Sequence, residues 1–179
     1  MSAKHKGLAD LFHATLKQHR EGRRQAAKGF GKMAKAATSP ELRSALQERD
    51  DTLHEQADAL DPVFAAINRK PHGDDCEVTD AQITAMKALI DAFEDSPALD
   101  NGLAALAASL ESHAVVRLAT LRAWAGRLGH GEAMTTLERL HAEARRAADA
   151  FAQVVAEVPD TTPDDAELTL KQAALLGLR

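Results

Sequence analysis

Two acid-x-x-His pairs, Asp51 to His54 and Glu138 to His141, lie in stretches of helical periodicity, and an arginine, Arg23, interrupts the apolar stripe of a third. A spacing of three places both members of such a pair on one face of a helix. Carboxylates and imidazoles converging from facing helices are what a dinuclear iron or manganese centre requires. An arginine at the same height argues for other chemistry, because its guanidinium keeps carboxylates ionised through paired hydrogen bonds and repels a divalent cation. Which set occupies the middle of the molecule decides between a redox or storage protein and a salt-bridged core without metal.

The elements that must position these residues follow from apolar spacing. A first helix spans about 8–37, with Phe12, Leu16, His19, Arg23, Ala26, Phe30 and Met33 on its stripe. Ser39-Pro40-Glu41 supplies an N-cap, a proline at the first helical position and an acid in the first turn. The second helix then runs to about Asn68 through Leu42, Leu46, Arg49, Leu53, Gln56, Leu60 and Phe64. Thr79 and Gln82 have capping-box spacing and open a short helix near 81–94. Ser96-Pro97 launches a third long helix over 98–128, Gly129-His130-Gly131 breaks it, and a fourth covers 132–157. Short loops make each long pair an antiparallel hairpin, whereas a connection of roughly 30 residues lets the chain cross the bundle and makes the second and third helices parallel. The predicted fold is therefore all-α: a ferritin-like up-down four-helix bundle over residues 1–158, with a long crossover containing a short helix. Residues 159–179 are expected to form a C-terminal tail with a short helix near 165–176.

Composition supports this frame. There are 37 alanines but only seven valines, three isoleucines and no tyrosine among 179 residues, which favours helix over sheet in one ordinary domain. No run approaches 18 uninterrupted apolar residues and no signal peptide leads the chain, so the expected location is cytoplasmic and no membrane partner is expected. A single Cys76 fits a reducing compartment. Charge is uneven: residues 1–37 carry nine Lys/Arg against two acids, and residues 38–101 carry five against fifteen. A basic first helix beside an acidic second one neutralises itself, although a Dps-like DNA-associating surface is an alternative. Glycine-rich phosphate loops, nucleophile elbows and Cys-x-x-Cys motifs are all lacking, which leans against an enzyme.

Height along the bundle tests the metal reading. Arg23 and Asp51 lie sixteen and twelve residues from Ser39, and Glu111 lies thirteen from Ala98, so all three share one layer, with His54 close by. Counted from Gly129, the level position on the fourth helix is near 147. Glu138 and His141 then fall roughly 9 to 14 Å short, Glu143 about 6 Å short, and Arg146 is nearly level. The expected layer thus contains Arg23, Asp51, Glu111 and Arg146 as a buried polar network, and a weakened metal set would be Asp51, His54, Glu111 and Glu143.

Several strings resemble a known family: Lys32-Met33-Ala34 leading to Ser39-Pro40-Glu41-Leu42, Cys76-Glu77 after Lys70-Pro71, and Ala123-Trp124-Ala125 before Leu128-Gly129. Together they resemble the bacterial YciE/YciF-type ferritin-like proteins over about 8–157. The resemblance implies a cytoplasmic, stress-associated bundle of rubrerythrin-like topology, a homodimer, with no established reaction. It also implies a glutamate where this chain has Arg23, and a carboxylate where it has Ala114. The expectation is a metal-degenerate ferritin-like protein with no cofactor. The alternative is a rubrerythrin-like di-iron or di-manganese redox or storage protein.

Overall fold

The computed structural model describes residues 6–72, 75–94, 96 and 98–157. Six helices follow in order: α1 Leu8–Ala36, α2 Pro40–Asp58, α3 Asp61–Ala66, α4 Glu77–Ala92, α5 Leu99–Arg127 and α6 Gly131–Glu157. The tail and the boundary drawn at residue 158 lie outside the described residues.

Local chemistry sets most of the boundaries. Ser39 Oγ accepts the Leu42 amide at 3.2 Å with Pro40 behind it, so α2 starts where its N-cap signal stands. The α5 to α6 turn is a Schellman motif: His130 N–H donates to Ala125 O at 2.9 Å, Gly129 N–H to Gly126 O at 3.2 Å, and Gly129 takes φ 75°. Two expectations fail. The second helix does not continue to Asn68 but breaks after Asp58, because Pro62 lacks an N–H and its ring displaces the carbonyl four residues back; α3 resumes beyond the kink. The crossover helix begins a turn before its supposed capping box, at Glu77. It is anchored instead from another element, with Gln25 Oε1 of α1 accepting the Cys76 amide at 2.9 Å and Gln25 Nε2 donating to Asp80.

The side-chain pairings give the topology. Arg20 faces Asp61 and Gly31 faces Asp50, so α1 and α2–α3 are antiparallel. Arg122 faces Glu138, so α5 and α6 are antiparallel. Asp100 at the start of α5 meets Thr38 and Ser39, and Glu111 meets Arg49 further along, so α2 and α5 run parallel as a ferritin-like crossover requires. The crossover helix α4 packs against α1 and α5. Glycines let it approach: a Cβ on Gly22 would stand 2.9 Å from Thr79 Oγ1, and one on Gly102 would stand 2.8 Å from Leu89 Cδ2.

The apolar core is divided in two. Phe30, Met33, Leu46, Leu53, Met86, Leu103 and Phe151 fill the end near Ser39. Phe12, Leu16, Leu60, Phe64, Leu118, Leu121, Leu137 and Leu140 fill the other. At the first end, Asp100 is the clasp: its carboxylate accepts Thr38 N–H at 2.8 Å, Thr38 Oγ1–H at 2.8 Å and Ser39 N–H at 2.7 Å. Replacing it, Asp100→Ala, strands the amides of the α1–α2 turn and is expected to lower the unfolding free energy by roughly 2–4 kcal/mol. The effect should appear as a lower urea midpoint at unchanged slope.

Candidate functional site

Between the two apolar clusters lies a polar layer drawn from all four long helices. Glu111 of α5 is fully buried, with no exposed surface, and Arg23 of α1 and Arg49 of α2 are 3% and 8% exposed. Arg23 Nη2 donates to Glu111 Oε1 at 3.1 Å and Oε2 at 2.9 Å. Arg49 makes a two-pronged contact, with Nε to Oε1 at 3.0 Å and Nη2 to Oε2 at 2.7 Å. Gln56 Oε1 accepts from both arginines, at 3.0 Å from Arg23 and 3.2 Å from Arg49, and its Nε2 donates to Glu143 of α6 at 2.9 Å. Glu143 is half-buried and also accepts from Arg139 at 2.7 Å. Three guanidiniums and two carboxylates are thus joined through one amide, with the Arg139 to Glu143 pair at the exposed edge.

The electrostatics are those of a buried ion triad. Burial alone would raise the Glu111 carboxyl, but the charges and hydrogen bonds of Arg23 and Arg49 outweigh it and hold the group below its ordinary value. Burial lowers the Arg23 value, aided by Arg49 and opposed by Glu111. His19, one turn away on α1, is buried, and desolvation followed by the Arg23 charge pulls its pKa well below 6.5.

The sequence-derived candidates divide accordingly. Arg23 and Glu111 meet in the layer, and Glu143 reaches it through Gln56. Asp51 and His54 do not: both are exposed, Asp51 beside Gln47 on the outer surface and His54 facing Asp50 at 3.7 Å. Arg146 is also exposed. The reason is angular. At about 100° per residue, Asp51 is turned roughly 200° from the buried Leu53, and Arg146 is turned likewise from the buried Ala144. Height placed them correctly along the axis, but their side chains point away from it. Glu138 pairs with Arg122 on the surface, and His113 accepts from Arg117 Nε at 3.2 Å. The missed members, Arg49 and Gln56, stood on the second helix's stripe in the sequence. Their signal was polarity at stripe positions.

A divalent metal does not fit this donor set. Glu111 has both oxygens occupied by arginine N–H groups, and two guanidiniums stand where further carboxylates would be needed. Among the described residues, no three His, Cys, Asp or Glu side chains are grouped so as to hold an ion. The basic charge of α1 is partly consumed within the fold: Arg20 Nε donates to Asp61 at 2.7 Å and Arg24 Nη2 to Asp58 at 2.8 Å.

Fold and layer together define a ferritin-like helical bundle whose central position is built from arginine, carboxylate and amide. The chain belongs to the DUF892 family, a domain of unknown function whose family model matches residues 7–162. It is similar to the E. coli stress protein YciF, with a TM-score of 0.83 over 88% of this chain and 100% of that one; at 21% identity this likeness speaks for the fold. It is also similar to YcfI from Rhodopseudomonas palustris, described as a candidate structural protein, with a TM-score of 0.80, 27% identity, and coverage of 85% of this chain and 97% of that one. No curated protein matches. The YciF-type family suggested by the Ser39-Pro40-Glu41-Leu42 and Ala123-Trp124-Ala125 strings is thereby established. Among the described residues, no helix is long and apolar enough to cross a membrane.

Removing the central charge tests the triad. Glu111→Gln leaves two buried guanidiniums uncompensated and is expected to cost about 3–5 kcal/mol, whereas Glu111→Leu combined with Arg23→Met and Arg49→Met recovers most of that loss. Acid sensitivity has a definite sign. Because the folded carboxyl lies below its unfolded value of 4.5, the unfolded chain takes up the proton first. The contribution of Glu111 is complete above pH 4.5 and is lost as pH falls through the folded value. His19 likewise withdraws stability as pH falls below 6.5, since its folded value is depressed too. Urea unfolding across pH 3–7 should show the lower of these losses shrink in Glu111→Gln, with the His19 loss retained.

Proposed function

We propose that this chain is a stress-associated ferritin-like bundle protein that works without a metal, its metal position rebuilt as the Arg23–Glu111–Arg49–Gln56 layer. The observation that carries this reading is the saturation of Glu111: four N–H···O contacts from two arginines leave this fully buried carboxylate no lone pair to offer a cation. The role suggested is structural or interactive rather than catalytic. The similarity to a stress protein and to a candidate structural protein points the same way.

In this reading the protein acts in the cytoplasm as a homodimer, for which exposed apolar side chains such as Val116 on α5 and Leu11 on α1 offer surface to cover. A Dps-like attachment to DNA is less favoured, since Arg20 and Arg24 are engaged by Asp61 and Asp58. The rubrerythrin-like alternative needs iron or manganese on Glu111 and Glu143 against two arginines.

Growth in iron- and manganese-rich medium followed by elemental analysis separates the readings. Metal far below one ion per chain, with a melting temperature unchanged by exhaustive chelation, is the expected result. Stoichiometric metal, or a fall in melting temperature on chelation, overturns the proposal, because a ligand bound only to the folded state must stabilise it.

A further inference from the structure

Only Nη2 of Arg23 is engaged by the layer; its Nε has no hydrogen-bond partner among the described residues, and neither does Gln82 Oε1. Both residues belong to the wall of a second space, a half-open cavity of about 20 Å³ between α1, α4 and α5. Gln18, His19, Cys76, Thr79, His113 and Arg117 complete its polar lining, and no Asp or Glu contributes to it. That volume accommodates one water-sized particle or a single-atom ion and is small for a tetrahedral oxyanion.

The sign of the local field is positive. His19 and His113 each have their pKa lowered, first by burial and then by the charges of Arg23 and Arg117. Glu111 compensates Arg23 from the opposite side, through Nη2. The first turn of α4 borders the cavity through Thr79, while its Cys76 amide is taken by Gln25 Oε1 and its acids are Glu77 and Asp80, neither of which lines the cavity. Gln82 Nε2 lies 3.2 Å from Ser109 Oγ. Amide oxygen and nitrogen exchange by a half-turn, and a serine hydroxyl can donate as well as accept. With Ser109 donating to Oε1, Gln82 offers an N–H to the cavity beside the unpartnered Nε of the buried Arg23.

We propose that this cavity binds a small inorganic monoanion of the halide class, held by Arg23 Nε, the Gln82 amide and the charge of Arg117. The site is distinct from the Glu111 layer and is built from the other side of the same arginine, so it stands whether or not the layer is metal-free.

Bromide is the probe. Crystals of the full chain grown without halide and soaked in sodium bromide should show an anomalous peak between Arg23 and Gln82. In solution, bromide titrated against gluconate at constant ionic strength should raise the melting temperature saturably, gluconate being too large for the cavity. Gln82→Glu keeps the side chain's shape but adds a negative charge, and should weaken bromide binding roughly tenfold or more. Arg117→Gln, at the half-buried rim, should weaken it as well and serves if the first variant fails to fold. Melting in gluconate verifies that each variant is folded. Water alone in the cavity, bromide bound only elsewhere on the surface, or Gln82→Glu and Arg117→Gln chains that bind bromide as wild type does would each overturn the proposal.

Discussion

Glu111 carries a full negative charge into the interior of a helical bundle, and the molecule is arranged around satisfying it. Desolvating a carboxylate costs several kcal/mol, which only close, well-aligned cations can offset. Arg23 and Arg49 provide this from two different helices, and Gln56 holds the two guanidiniums at a common oxygen while reaching α6 through Glu143. Such a triad adds little net stability over three apolar side chains of similar volume. Its effect is on register. Sliding α5 by one turn against α1 would set Glu111 among leucines and leave two arginines unpaired, an error that apolar packing alone penalises far less.

In the proposed reading the layer takes the place that an ion holds in other bundles of this class. A dinuclear metal centre ties four helices together by coordination from carboxylates and imidazoles. Here the same four long helices are tied by hydrogen bonds among arginine, glutamate and glutamine, and the positive charge comes from the chain itself. The two apolar clusters on either side, one around Phe30 and Leu46 and the other around Phe12 and Leu121, then pack as they would around any central layer.

Fold and site were unequally legible. Apolar spacing, Ser39-Pro40 and Gly129 marked the long helices and their order because caps, prolines and periodicity act within a few residues. Pro62 was equally visible as a breaker, yet the continuous stripe through Leu60 and Phe64 masked it; both residues remain buried on either side of the kink. At the site, Arg23 and Glu111 could be placed by counting along helices, but counting along an axis says nothing of direction around it. Asp51 and His54 had chemically attractive types at the right height and the wrong angle. Arg49 and Gln56 had the right angle: at sixteen and seventeen residues from Ser39, Arg23 and Gln56 are level, and Arg49 spans the remaining distance with its long side chain. The tertiary cap that Gln25 gives to α4 left no local signal, since its partner lies 51 positions away.

The crossover helix makes the two flanks of the bundle unequal. Seated through Gly22 and Gly102, α4 covers the edge shared by α1 and α5. The opposite edge, between α2 and α6, is instead a groove of about 420 Å³ whose wall includes Arg49 and Glu143. On this side the groove brings solvent to the edge of the triad. Arg49 and Glu143 form the margin of the layer on that groove, Arg23 faces the small cavity between α1, α4 and α5 on the other side, and Glu111 lies between them with no exposed surface, so the centre of the molecule is approached from two unequal sides.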